Sequence, residues 1–262
     1  MIRLQDEDLL LLKYLFETDF LDRDQIKKYI WNNRGEKYSI KRLWQLTKEE
    51  ILKKAPNPDS VTGSVLMATS KALLYMKNNI DRIKDLRRND NFRFQYISPG
   101  DYRVQNELRL GNFRHDNLLN LLRFKLEDYG ADGWVSDKIL FRNKPFKYTP
   151  DGLFQKKKKF FAVEFEIYMK RNHRYQHILH SYDTHIGNRN DRLDYLIYFC
   201  FEKQVYDFLS NRMRPDYQKD GKMLKNYNRM FLIRWGKFME GDLRIYNHYD
   251  KRVIDLKEEV FS

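Results

Sequence analysis

Cysteine is nearly absent from this chain, and so are long apolar runs. The one cysteine among 262 residues, Cys200, lies in the apolar stretch YLIYFCF, where it is expected to be a core residue. A single thiol rules out an internal disulfide, and the N-terminus MIRLQDEDLL has no signal-peptide pattern, so we expect a cytoplasmic protein. No segment approaches the ~20 apolar residues of a membrane-spanning helix, so no membrane role is expected.

Acidic side chains are too few to balance the basic ones. The chain has 50 lysine and arginine residues against 37 aspartate and glutamate residues, which gives a formal charge of +13. An excess that large favours polyanionic partners such as nucleic acid. Hydrophobic residues make up 42% of the chain, so a sizeable core can form, in one large domain or two small ones.

Residues 1–90 show a succession of short helical patterns and one hairpin. The predicted elements are helices over 4–18, 22–31 and 39–54, a β-like stretch over 65–68, and a further helix from Thr69 or Ser70. Asp22 and Ser39 are expected to be N-caps. Helix, helix, basic helix, hairpin and helix is the order of a winged helix-turn-helix domain, which we predict for residues 1–90.

The third predicted helix is the candidate DNA-reading element, because in a winged helix it lies in the major groove. The residues predicted to face the core are Ile40, Leu43, Trp44 and Ile51. The predicted DNA contacts on this helix are Ser39, Lys41, Arg42, Gln45 and Lys48. Basic side chains there suit phosphate groups of double-stranded DNA. A winged helix used for protein contact is the alternative.

Residues 91–262 are predicted to form an α/β domain. The expected order is a helix over 115–130, β-like segments over 134–141, 147–154 and 159–167, a helix over 168–185 and a strand over 194–201, followed by further helices and strands. The last of these strands is continuously apolar, which is typical of a strand buried on both faces of a parallel or mixed sheet.

The segment FFAVEFEI holds the candidate chemical site. Side chains alternate between the two faces of a strand, so Glu164 and Glu166 share one face. If the short strand after Asp151 pairs antiparallel with this segment through a turn at QKKKK, Asp151 reaches the same face near Glu164. Several carboxylate oxygens on a rigid backbone suit Mg²⁺ or Mn²⁺, so the three acids are the predicted metal ligands.

The pattern Pro150-Asp151 followed by Glu164-x-Glu166, between two helices, resembles the PD-(D/E)XK nucleases. The resemblance implies an αβββαβ restriction-endonuclease-like core in which Asp151 and Glu164 bind the metal. Glu166 stands where the family has its lysine, and Lys170, four residues on, could reach back. The helix over 168–185 carries residues that resemble a further motif touching DNA or the site. The residues of this helix implied to act are Gln176 in catalysis and Arg171, Arg174 and Tyr182 in DNA binding.

Over most of its length the chain resembles the plasmid replication-relaxation or mobilisation accessory proteins. The residues that carry this resemblance are His115, Asp116, Pro150, Asp151, Glu164, Phe165, Glu166, Lys170, Arg174, Tyr175 and Tyr182. The resemblance implies plasmid or mobile-element DNA as the substrate, with a relaxase, transposase or replication protein, or a second copy of the chain, as protein partner. Asp116 or Glu127 would complete the acid site.

Each signal has an ordinary structural alternative. Asp151 could be a turn residue, and the glutamates could form the solvated face of an edge strand. Tyrosines 168, 175 and 182 recur every seven residues, which favours core packing over stacking on a nucleotide. His173, His177 and His180 share a helix face, which favours a basic surface over a transition-metal site. An active Mg²⁺-dependent endonuclease or nickase and a transcription regulator are the alternative functions.

Overall fold

Mixed α/β structure, as expected from the sequence, makes up the part of the chain that the computed structural model describes. The described residues are 2–61, 63–85, 102–143, 146, 148–186, 188, 193–213, 224–247 and 252–258. The chain divides into two compact units, Met1–Phe124 and Lys125–Ser262. The domain boundary predicted near residue 90 lies outside the described residues. None of the described helices is long and apolar enough to cross a membrane.

The first unit combines short helices with a small antiparallel sheet. Its elements are α1 (Asp6–Thr18), β1 (Leu21–Asp22), α2 (Arg23–Gln25), α3 (Glu36–Lys48), β2 (Leu52–Pro56), β3 (Ser64–Ala68), α4 (Ser70–Asn78), α5 (Ile80–Asp85) and the first turns of α6 (Phe113–Asp128). A π-helical stretch, Ile26–Ile30, continues α2. The sheet order is β1-β3-β2, so β3 pairs with both the strand before α2 and the strand after α3.

Local signals explain most helix ends in this unit. Asp22 caps α2, as predicted, by accepting a 2.7 Å hydrogen bond from the backbone N–H of Gln25. Ser39 does not cap α3, because the helix begins at Glu36 and Ser39 is buried inside it. The prediction that this helix continues to residue 54 is also wrong. Glu50 takes a left-handed conformation with φ of 57°, which ends the helix and leads into β2.

The predicted orientation of α3 is wrong at four positions. Ser39 and Arg42 were expected on the DNA side, but both are buried, and Arg42 is ion-paired with Asp8 of α1. Ile40 and Trp44 were expected in the core, but they are 47% and 59% exposed. A buried guanidinium is tolerated only with a paired carboxylate, so the charge on Asp8 determines which face of α3 points inward.

The second unit is built on a five-stranded mixed sheet of order β4-β5-β6-β7-β8. Besides the last turn of α6, its elements are β4 (Asp132–Ser136), α7 (Asp137–Asn143), β5 (Gly152–Lys156), β6 (Lys159–Glu166), α8 (Asn172–His185), β7 (Tyr195–Cys200), α9 (Lys203–Ser210), β8 (Met230–Arg234), α10 (Trp235–Met239), β9 (Arg244–Asn247) and β10 (Arg252–Asp255). The first two pairings, β4-β5 and β5-β6, are antiparallel, and β6-β7 and β7-β8 are parallel.

The buried strand β7 confirms the expectation from YLIYFCF, since it lies between two parallel neighbours and Cys200 is buried. The strand predicted over 134–141 is only partly correct. It ends at Ser136, and the residues that follow form α7. A short apolar run can form either a strand or a helix. Here the backbone N–H of Asp137, the first residue of α7, donates a hydrogen bond to the carbonyl oxygen of Asp151, just before β5.

Candidate functional site

The hairpin of β5 and β6 brings Asp151 next to Glu164. Gly152 pairs with Val163, so Asp151 and Glu164 are the next opposed positions at the end of the ladder. Asp151 Oδ2 accepts a hydrogen bond from the backbone N–H of Phe165 at 2.7 Å. This confirms the predicted antiparallel pairing, and it means that the β6 backbone holds the Asp151 carboxylate in place.

Gly152 is required by a close approach of Trp134 from the neighbouring strand β4. A Cβ atom at position 152 would lie 2.2 Å from Cζ2 of the Trp134 indole. Turn chemistry was the alternative interpretation of Thr-Pro-Asp-Gly, but Gly152 begins strand β5, as the main prediction has it, and lets the indole pack over the backbone beside Asp151. Packing of the indole therefore helps to position the first acid of the site.

A Gly152→Ala substitution should lower the free energy of unfolding by about 1–3 kcal/mol, because the added methyl overpacks this contact. Chemical denaturation of the full chain measures the change. Gly236→Ala is the matched control, since no atom lies within 4 Å of a Cβ built there. Equal stability of the two variants would mean that the Trp134 ring moves without cost.

Glu164 is a buried acid, only 2% exposed. Burial raises the pKa of Glu164 well above its ordinary value, and the negative charge of Asp151 raises it further. The hydroxyl of Tyr182, which donates to Glu164 Oε1, and the charge of Lys170 act in the opposite direction on this pKa. The site therefore disfavours a second negative charge beside Asp151 until a cation compensates it.

Lys170 reaches back to Glu166, as predicted. Its Nζ lies 2.6 Å from Oε2 of Glu166, and its side chain is 25% exposed. Glu166 itself is almost fully buried, one strand repeat beyond Glu164. A lysine ammonium thus stands at the edge of the acid cluster although it comes four residues later in the chain than the family pattern places it.

Two tyrosines at the site were missed by sequence reasoning. Tyr198 of β7 is the register partner of Glu164 and is fully buried, and its hydroxyl has no hydrogen-bond partner among the described residues. The pKa of Tyr148 is raised by burial and by the charges of Glu164 and Asp151. Alternation along YLIYFCF places Tyr198 and Cys200 on one face, but only the register with β6 shows that this face carries the acids.

Helix α8 separates the predicted DNA contacts into exposed and buried residues. Arg171 and Arg174 are exposed and Gln176 is half-buried. Tyr182 is fully buried and its hydroxyl donates to Glu164, so the prediction that it contacts DNA directly is wrong, and it lies beside the acid instead. The cause is helical geometry, since Tyr182 lies on the inward face of α8 with Tyr175.

Of the two candidate acids on α6, Asp116 belongs to the first unit and Glu127 to the second. Asp116 is paired with His115 at 3.3 Å, and its role in completing the acid site stays a prediction. Of the α8 histidines, His173 and His177 are exposed and His180 is half-buried. Among the residues that the structure describes, no three His, Cys, Asp or Glu side chains form a ready-made metal cage.

The chemistry of the donors fits a hard divalent cation. Asp151 and Glu164 present carboxyl oxygens on adjacent strands, and oxygen ligands of this kind suit Mg²⁺ or Mn²⁺. The unpartnered hydroxyl of Tyr198 adds a polar group that a metal-bound water could satisfy. Oε2 of Glu166 is already paired with Lys170.

No protein-family model, curated protein or solved structure matches the chain.

Proposed function

We propose that this chain is a DNA-binding protein whose first unit binds a duplex in the manner of a winged helix. The element order α1-β1-α2-α3-β2-β3 and the sheet order β1-β3-β2 support that arrangement. In it α3 enters the major groove, and the hairpin of β2 and β3 touches the backbone. The single observation that carries the proposal is the exposed face of α3.

That face combines cations with apolar side chains. Its exposed members are Lys37, Ile40, Lys41, Trp44 and Lys48. They recur at the three- and four-residue spacing of one helix side, and the Lys48 ammonium lies 4.9 Å from the centre of the Trp44 ring. The lysines suit phosphates, and Ile40 and Trp44 suit the apolar base edges of the major groove, such as the thymine methyl group.

Removing two of these lysines should weaken duplex binding and its dependence on salt. For the Lys41→Ala/Lys48→Ala variant, we expect the slope of log K against log salt to fall by about 2, since each lost phosphate contact removes about one unit. Fluorescence anisotropy across a salt series measures it. The matched control is Lys71→Ala/Lys77→Ala, which removes two charges from α4 of the same unit.

A flat salt response of the unaltered chain would contradict the proposal altogether. Equal effects of the two double variants would show that charge in general, rather than the face of α3, drives binding. If the exposed face of α3 contacts a protein instead, both double variants should bind the duplex with the affinity of the unaltered chain.

Cleavage of DNA is the second candidate function, and Lys170 is the observation that favours it. The order α6-β4-α7-β5-β6-α8-β7, with antiparallel strands leading into a parallel one, supports the resemblance to the PD-(D/E)XK core, although α7 is an addition to the αβββαβ order. Asp151 and Glu164 would hold Mg²⁺, which supplies charge stabilisation and an activated water to phosphodiester hydrolysis. Lys170 beside Glu166 would provide the cation that the family pattern requires.

The resemblance to replication-relaxation and mobilisation proteins makes plasmid or mobile-element DNA the proposed target. A transcription regulator whose second unit binds a partner would share the duplex binding but not the need for Asp151. A plasmid nicking assay therefore distinguishes these functions.

A further inference from the structure

Large apolar side chains stand exposed directly after the last acid of β6. Tyr168 is 55% exposed and Met169 is 41% exposed, although the preceding Ile167 is buried. Core packing was expected for Tyr168 from the seven-residue spacing of the tyrosines, and that expectation is wrong. The spacing holds for Tyr175 and Tyr182, which lie inside the fold, whereas Tyr168 precedes α8 and faces solvent.

The loop that carries Tyr168 is held in one conformation by a buried hydroxyl. The hydroxyl of Tyr175 accepts a hydrogen bond from the backbone N–H of Lys170 at 2.9 Å and donates to the carbonyl oxygen of Tyr168 at 3.5 Å. Tyr175 is fully buried. Because the backbone is already ordered, a ligand that contacts the Tyr168 ring need not order the loop on binding.

Exposed basic side chains follow this ring closely along the chain. Arg171 is exposed just before α8, and His173, Arg174 and His177 are exposed on its first two turns. Arg174 also hydrogen-bonds the side chain of Tyr148, whose hydroxyl feels the charges of Glu164 and Asp151. An exposed aromatic ring near arginines suits a nucleic acid, because its bases can stack on the ring and its phosphates can pair with the guanidinium groups.

We propose that Tyr168, Met169, Arg171 and Arg174 form a site for an unpaired DNA strand, with a base stacked on Tyr168 and the phosphates on the two arginines. Bases inside a duplex are stacked on each other, so only an unpaired base can present its face to the Tyr168 ring. The inference rests on the proposed function and deepens it, since it names the form of DNA that the second unit holds.

The test compares the affinities of the full chain for two labelled ligands in EDTA, an oligothymidylate of about 20 nucleotides and a duplex of similar length. For Tyr168→Ala, we expect single-strand affinity to fall about tenfold, which is the range of one base–aromatic stack, with duplex affinity unchanged. Tyr168→Phe keeps the ring and is expected to bind both ligands like the unaltered chain. Lys41→Ala/Lys48→Ala should show the reverse pattern, weakening the duplex more than the single strand.

Single-strand affinity that survives Tyr168→Ala would overturn the inference while leaving the duplex proposal intact. An equal loss of affinity for both ligands would also overturn it, because losing a stack on an unpaired base should leave duplex affinity unchanged. If the unaltered chain binds neither ligand, the proposed function itself fails. Single-strand binding that depends on Tyr168 without any duplex binding would support the inference and contradict the role assigned to α3.

Discussion

Asp151→Asn is expected to abolish metal-dependent nicking of supercoiled plasmid if the second unit cleaves DNA. The substitution removes a carboxylate from the acid pair while keeping the side-chain shape and an oxygen for the Phe165 N–H, which now bonds Asp151 Oδ2 at 2.7 Å. We expect the nicking rate in Mg²⁺ or Mn²⁺ to fall on the order of 100-fold or more, since even outer-shell partners of metals account for about 10–100-fold. Gel electrophoresis of relaxed and supercoiled plasmid measures it.

The fold offers a closely matched control for this substitution. Asp194 also accepts a hydrogen bond from a β6 amide, the N–H of Phe160 at 2.9 Å, but at the opposite end of the strand. Asp194→Asn should therefore keep the nicking rate of the unaltered chain. Nicking that survives Asp151→Asn would exclude the acid cluster as its source. A chain that shifts plasmid on gels without nicking it would be a DNA-binding protein with a nuclease-like but inactive second unit.

Glu164→Gln should make the protein more stable at pH 8, although it alters a buried, hydrogen-bonded group. Burial, reinforced by Asp151, keeps the folded pKa of Glu164 above its ordinary value of 4.5. Between these two pKa values the folded chain holds a proton that the unfolded chain has lost, so stability falls as pH rises through this window. Each pKa unit corresponds to about 1.4 kcal/mol. A neutral glutamine, which can still accept from Tyr182, avoids that loss.

Urea denaturation in EDTA from pH 4 to pH 8 measures this difference. The two proteins should be similar in stability near pH 4, where both side chains are neutral, and should diverge as the pH rises. The exposed Glu36, 59% accessible and paired with Arg23, provides the control, because Glu36→Gln should change stability by less than about 1 kcal/mol at any pH. A loss of stability at pH 8 in Glu164→Gln would show that the buried carboxylate is charged and well compensated.

Several patterns confined to a few neighbouring residues were predicted correctly from the sequence, although the N-cap at Ser39 was not. The cap at Asp22, the hairpin through the lysine-rich turn and the shared face of Glu164 and Glu166 all depend on local hydrogen bonds or on the two-residue repeat of a strand. Lys170 could be expected to reach Glu166 because four residues separate them. The hairpin register alone then brought Asp151 to the acid face.

Contacts between segments that are far apart in the chain could not be predicted from any local sequence pattern. The burial of Arg42 depends on Asp8, 34 residues earlier, and it turned Trp44 and Ile40 outward. The alternation in YLIYFCF could not show which of its faces meets the acids, because that depends on the register of β6 and β7.

The amino-acid order alone thus determined the basic charge, the mixed α/β class and the three acids of one hairpin, since these follow from composition and short-range geometry. Only the packed structure decided which side of α3 meets solvent, that Tyr182 is buried against Glu164, and that Tyr198 faces Glu164. Those outcomes depend on which groups find partners when remote strands and helices come together, because a buried charge or hydroxyl is stable only where another part of the chain supplies its counterpart.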